Sequence, residues 1–201
     1  MLEARGLDCE RGGRALFREL SFSAASGELV RVAGPNGSGK TSLLRILCGL
    51  LAPAGGEVRW NGAPIHALRE DYSRQLVYVG HAAAIKGDLT AAENLRISST
   101  LAGLHAPPGS TRAALERLGV ELDVPVRKLS QGQRRRAALA RLALSESVPL
   151  WLLDEPFSAL DVQGLELLNS ILRDHVKRAG IVVFSTHQDP GLAATRTVEL
   201  G

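Results

Sequence analysis

Nowhere in the 201 residues does an apolar run approach the roughly 18 to 20 residues that span a bilayer. The opening Met1-Leu2-Glu3-Ala4-Arg5 also lacks the uninterrupted apolar stretch of a secretion signal, so a secreted or self-inserting protein is not expected. Cysteine is scarce: Cys9 and Cys48 have no CxxC spacing and sit among ordinary strand-like and helix-like residues, which suits a reducing compartment. Both read as buried small hydrophobes. Net charge is only +3, from 24 Lys and Arg against 21 Asp and Glu, too little to imply a nucleic-acid partner. Just four of those cations are lysine, namely Lys40, Lys86, Lys128 and Lys177. There is no internal repeat, low-complexity tract or long linker.

What is present suits a folded chain of one domain: 45% hydrophobic and 22% charged residues can bury a core. Residues 27–33 read as a strand, followed by a glycine-rich loop and the helical pattern Leu43, Leu44, Ile46, Leu47, Leu50. Residues 55–62 read as a strand running into an Asn61-Gly62 turn, and Leu76 to Val79 as another strand. From Thr90 to Leu118 the spacing is helical, with a break at Ala106-Pro107-Pro108-Gly109. Leu150 to Leu153 and Ile181 to Phe184 are apolar without alternation, as in strands covered on both faces of a parallel sheet. Between them Leu165, Leu168, Ile171 and Leu172 mark a crossover helix. The expectation is one α/β domain over 1–201, with a helical subdomain inserted at about 87–147.

Gly34-Pro35-Asn36-Gly37-Ser38-Gly39-Lys40-Thr41 fits the phosphate-loop pattern G-x-x-x-x-G-K-[ST] after a strand and before a helix. Its backbone N–H groups and the positive helix end suit a triphosphate, with Lys40 reaching the β and γ phosphates and Thr41 ligating Mg²⁺. Ser42 completes the nucleotide-binding set. A carboxylate must finish the metal site, and Asp154 stands at the end of an apolar strand. Glu155 follows as the group that orients or deprotonates the attacking water, with Pro156 disfavouring helical geometry there. Leu129-Ser130-Gln131-Gly132-Gln133 opens a helix at which Ser130 is the expected N-cap, a second anion site. Arg134, Arg135 and Arg136 fan around that helix, so a solvated face is expected.

The phosphate loop, the Ser130 motif, Asp154-Glu155, Ser158-Ala159-Leu160-Asp161 and His187 occur in the order and spacing of the ATP-binding-cassette (ABC) ATPases, which the chain resembles over nearly its whole length. The resemblance implies a P-loop NTPase fold of the ABC nucleotide-binding type, binding ATP and Mg²⁺. It also implies a head-to-tail dimer, in which Ser130, Gly132, Gln133 and Asp161 face the nucleotide held by a second copy. His187 resembles the switch histidine that contacts the γ-phosphate and the catalytic glutamate.

A narrower set of stretches resembles the ATP-binding subunits of cytochrome c maturation, also described as haem exporter ATPases. These are Tyr78-Val79-Gly80-His81, Ile85-Lys86, residues 89–95, Ala140-Arg141-Leu142, residues 151–157, residues 180–183 and Ser185-Thr186-His187-Gln188. That resemblance implies integral-membrane ABC subunits as partners and a peripheral location on the cytoplasmic face of the bacterial inner membrane. The alternatives are an exporter subunit for another substrate, or a soluble ABC ATPase acting on nucleic acid. The latter is disfavoured by the single cassette and the lack of a coiled-coil insertion.

Three departures stand out. Neither His81 nor Ala82 is the glutamine that many cassettes carry after this strand. In place of an adenine-stacking aromatic is Glu10-Arg11-Gly12, where Arg11 could stack its guanidinium on the base. Gln131 replaces a common glycine of the signature.

Overall fold

The apolar runs without alternation become neighbouring parallel strands, Leu150–Asp154 and Ile181–Ser185, in which every residue is buried. Such strands are covered on both faces, which is why hydrophobic residues need not alternate with polar ones. They belong to a computed structural model that describes residues 1–104, 107, 109–187 and 190–201. Ala106 and Pro108 of the expected helix break, and Gln188 after His187, lie outside the described residues.

In chain order the elements begin with β1 (Leu2–Arg11), β2 (Arg14–Ala24), β3 (Leu29–Ala33), α1 (Lys40–Leu47), β4 (Gly55–Trp60) and β5 (Ala63–Pro64). The short helices α2 (Ile65–Leu68) and α3 (Glu70–Ser73) lead to β6 (Leu76–Val79). Then come α4 (Ala91–Leu101), α5 (Ser110–Arg117), a 3₁₀ turn (Val126–Lys128) and α6 (Gln131–Leu144). β7 (Leu150–Asp154), α7 (Val162–Lys177), β8 (Ile181–Ser185) and β9 (Arg196–Glu199) complete the chain.

The chain divides into two compact units, the first comprising residues 1–81, 148–156 and 174–201. It contains a parallel sheet ordered β6-β7-β8-β3-β9 and an antiparallel sheet ordered β2-β1-β4-β5. Helix α1 packs against β7, β8 and β1 through Leu43, Leu44, Ile46 and Leu47, each at most 1% exposed. Burying a leucine or isoleucine contributes roughly 1.5–3 kcal/mol, so this face anchors the helix that follows the glycine loop. Asn61 and Gly62 have φ 51° and 84°, the paired positive values of a two-residue hairpin joining β4 to β5.

The β1–β2 hairpin is absent from the expectations because its pattern is blurred. β1 and β2 pair with several register shifts, and much of β2 is exposed. Each bulge resets the two-residue period on which sequence reading depends. Cys9 in this hairpin is buried as expected, whereas Cys48 after α1 is only half-buried. Burial pushes both thiols above the ordinary cysteine range, which keeps them poor nucleophiles.

At the parallel sheet, the rings of Trp151 in β7 and His175 near the end of α7 stack at 3.7 Å between centroids and 7° from parallel, and His175 is 1% exposed. Burial, and after it the nearby Arg178 charge, push the imidazole from 6.5 down to about 4. A folded-state value below the unfolded one means that stability is fully present above pH 6.5 and is lost as pH falls from there toward 4. The loss should approach about 3 kcal/mol below both values. Urea unfolding of the parent at pH 7 and pH 5 should show this decline, and His175→Phe, which keeps a flat ring without a titrating nitrogen, should flatten it. An unchanged pH dependence in that variant would show that other groups set the acid limit.

The second unit comprises residues 82–147 and 157–173, so it takes in a stretch beyond β7 as well as the helical region before it. Helices α4, α5 and α6 pack on one another, burying Leu95, Leu115, Leu139 and Leu142. Both α4 and α6 start with a reciprocal capping box, Thr90 with Glu93 and Ser130 with Gln133. Such caps contribute about 1 kcal/mol each and define where the helix begins. No helix among the described residues is long and apolar enough to cross a membrane.

Candidate nucleotide site

The loop after β3 is shaped by close approach. A side chain at Gly34 would put its Cβ 2.3 Å from the Leu200 carbonyl oxygen and 2.7 Å from Ser38 Oγ, so only glycine fits. Gly39 holds the N-cap of α1 at φ 102°, a left-handed conformation that costs an L side chain strain. Lys40 is 8% exposed and curls back, donating from Nζ to the carbonyls of Gly34 at 2.8 Å and Pro35 at 3.0 Å. Two of its three donors thus brace the loop, and the third remains for an anion. Ser38 Oγ is buried with no hydrogen-bond partner, an orphaned polar atom inside a loop that the helix end makes electropositive. These features fit a phosphate chain.

Thr41, one residue into α1, donates from Oγ1 to Asp154 at 2.9 Å (Oδ2) and 3.1 Å (Oδ1). Asp154 is 1% exposed at the carboxyl end of β7. The pair supplies the hard oxygen donors that magnesium prefers. Among the described residues no three His, Cys, Asp or Glu side chains cluster as metal ligands. Two oxygen-bearing side chains held together, Thr41 and Asp154, fit a cation that takes one or two protein oxygens and completes its shell with phosphates and water.

Glu155 has φ 49°, in the left-handed region, so Pro156 keeps it out of the right-handed helix but does not leave it extended. Its N–H donates to Ser185 Oγ at 3.0 Å, and its Oε2 lies 2.9 Å from His187 Nδ1. Such a conformation persists only where surrounding contacts over-determine it, as they do here. The Glu155 side chain is 12% exposed and that of His187 49%, so the pair reaches the surface of the first unit through the imidazole.

A cleft of about 580 Å³ runs along these groups. Asn36, Gly37, Gly39, Lys40, Thr41 and Ser42 line its loop side, and Glu155 and His187 face them. Arg11, at the end of β1, lines it as well. Leu16 and His81 complete the lining, and neither was among the candidate site residues. His81 stands just past β6, where the carboxyl end of a parallel strand is itself a signal for a ligand-facing residue.

In the second unit, Ser130 is exposed at the N-cap of α6, accepting from Gln133 N at 3.1 Å, and Gln133 Nε2 donates to Glu121 at 3.2 Å. A Cβ on Gly132 would come within 3.1 Å of the Ala159 carbonyl oxygen, so the backbone there is close-packed. Asp161, also exposed, accepts from Gly164 N at 2.9 Å and thereby caps α7 within its own chain. The expectation of a solvated arginine face is corrected. Arg134 is exposed, but Arg136 is half-buried and Arg135 only 5% exposed, because α6 packs against both α4 and α5 and has little surface left for three cations.

Comparison with known proteins gives consistent results. The family model described as ABC transporter matches residues 17–158. A cytochrome c biogenesis ATP-binding export protein CcmA from Aromatoleum aromaticum is 51% identical, covering 98% of this chain and 94% of its own. Its namesake from Nitrosomonas europaea is 52% identical over 94% of this chain and 89% of its own. Among solved structures, the dimeric ATP-binding cassette MJ0796 in a post-hydrolysis state with ADP and Pi has a TM-score of 0.82. It is 25% identical and covers all of this chain and 94% of its own.

Proposed function

The chain belongs to the ABC transporter family of ATP-binding cassettes, and from that membership we propose that it is the ATP-hydrolysing subunit of a membrane complex in c-type cytochrome maturation. The task of that complex would be haem export or release of a haem chaperone. The observation that carries the enzymatic part is the joining of Thr41 to Asp154 at 2.9 Å beside a Glu155–His187 pair at 2.9 Å, both at the carboxyl ends of one parallel sheet.

Residues Gly34 to Ser42 cradle the triphosphate, with the third Lys40 donor directed to the β and γ phosphates. Arg11 offers its planar guanidinium to the base. Thr41 and Asp154 would hold magnesium, which when bound neutralises charge on the phosphate oxygens. Glu155 orients the attacking water and draws off its proton, while His187 holds that carboxylate and reaches the γ-phosphate. The exposed Ser130 and Asp161 and the half-buried Gly132 and Gln133 face the nucleotide of a second copy, as the dimeric form of the related cassette MJ0796 supports. The chain sits peripherally on the cytoplasmic face of the bacterial inner membrane, integral-membrane ABC subunits complete the assembly, and no nucleic acid takes part.

Lys40→Ala removes the charge aimed at the phosphates. It should lower Mg²⁺-ATP hydrolysis at least about 100-fold, as expected when a positioned electrostatic group is lost, with normal circular dichroism. In a bacterium deleted for its own cytochrome c maturation ATPase, the parent chain should restore haem-staining c-type cytochromes and Lys40→Ala should not. Parent-level hydrolysis by Lys40→Ala would contradict the nucleotide assignment. A hydrolytically active parent that fails to restore cytochromes would instead point to an exporter for another substrate.

A further inference from the structure

We propose that Ser185 is a positioning residue for hydrolysis, holding the Asp154 carboxylate and the Asp154–Glu155 peptide in the geometry the reaction needs. The inference rests on the reading of Asp154 and Glu155 given above and adds a residue to it.

β8 lies between β7 and β3, and its last residue, Ser185, is in register with Asp154 on one side and Val32 on the other. The strand that ends in Ser185 thus separates the strand that leads into the phosphate loop from the strand that ends in Asp154. A short polar side chain at that point can reach the end of β7. Ser185 is fully buried, at 0% exposure, in a strand otherwise made of Ile181, Val182, Val183 and Phe184. An unneeded hydroxyl in such a place is costly, whereas one with its donor and acceptor both engaged is a specific link.

Both are engaged here. Ser185 Oγ donates to Asp154 Oδ1 at 2.8 Å and accepts from the N–H of Glu155 at 3.0 Å. The first bond fixes the rotation of the carboxylate, so that its other oxygen, Oδ2, is the closer partner of Thr41. The second fixes the peptide from which Glu155 departs at φ 49°, the conformation that carries its side chain to His187. One hydroxyl therefore sets the relative placement of the cation-holding oxygen and the water-orienting oxygen. Errors of about 1 Å in such placement can cost roughly 100-fold in rate.

The test compares two substitutions of nearly identical shape. Ser185→Thr keeps the hydroxyl and Ser185→Val replaces it with a methyl group, and Glu155→Gln is measured beside them. Ser185→Val should lower kcat roughly 10- to 100-fold with KM for ATP within about threefold of the parent, and should raise the Mg²⁺ concentration needed for half-maximal turnover. Ser185→Thr should retain kcat within about threefold. Nucleotide binding without Mg²⁺, followed by a fluorescent ATP analogue, should be the same in both, which also shows that both have folded.

Equal kcat in the valine and threonine variants, whether both fast or both slow, would overturn the role of the hydroxyl. A change confined to KM would overturn it too. If Glu155→Gln hydrolyses ATP at the parent rate, the underlying reading of the site fails, whatever the Ser185 variants do. If Glu155→Gln is inactive and the two Ser185 variants are alike, the Ser185 proposal fails alone.

Discussion

Glu155→Gln should hydrolyse ATP roughly 100- to 10,000-fold more slowly than the parent, the range for loss of a general base, while binding ATP as tightly. The amide has the shape of the carboxylate, so the left-handed backbone at Glu155, set by the N–H bond to Ser185, is undisturbed. What disappears is the carboxylate charge proposed to polarise water, on the side chain that meets His187 at 2.9 Å. Binding is proposed to depend on Lys40 and the glycine loop, which the substitution leaves untouched. Nucleotide-bound dimers should therefore accumulate, visible as a shift in elution volume on gel filtration with ATP that is absent with ADP. Single-turnover hydrolysis at the parent rate would remove Glu155 from the catalytic role, and loss of ATP binding would show that the side chain acts on affinity instead.

Ser130→Arg should suppress hydrolysis at least about 100-fold, as when a transition-state donor set is blocked, without weakening ATP binding to the separate subunit. Ser130 is exposed at the start of the 14-residue helix α6, and its hydroxyl is engaged with the N–H of Gln133. An arginine there removes the cap and sends a long side chain over the backbone donors proposed to meet the partner copy's γ-phosphate. Mixing with Lys40→Ala separates a shared site from a self-contained one. In a mixed dimer, one site combines the intact phosphate loop of the Ser130→Arg copy with the intact signature of the Lys40→Ala copy. Random pairing at equal concentrations leaves about a quarter of all sites competent in a twofold dimer. Activity should return toward that fraction from two variants each inactive alone. Parent-level turnover by Ser130→Arg alone would mean that each subunit hydrolyses ATP by itself.

Much of the site could be read locally. A phosphate loop works through a contiguous run of backbone, so its eight-residue pattern is complete in the chain from Gly34 to Thr41. Asp154 and Glu155 were visible for a similar reason: an apolar run followed abruptly by two acids marks the end of a buried strand, where α/β sheets carry their chemistry. Ser130 was legible as a helix cap because capping is settled within about four residues, and the box with Gln133 bears that out. Arg135 went the other way. Helical spacing says that three consecutive arginines fan out, but which of them meets a packed neighbour depends on where α4 and α5 lie.

The residue order alone thus determined the loop, the strand ends and the helix starts, since each is set by interactions spanning a handful of residues. It also determined the family, because the motifs stand in a fixed sequence. Only the tertiary structure decided that Thr41 meets Asp154 across 113 residues, that Ser185 joins Asp154 to Glu155, and that His187 turns its Nδ1 to Glu155. Those contacts follow from a sheet order in which strands distant in sequence lie side by side, β7 and β3 on either side of β8. Strand order is chosen by how helices and sheets share one core, a sum over many weak apolar contacts that no short stretch of sequence contains.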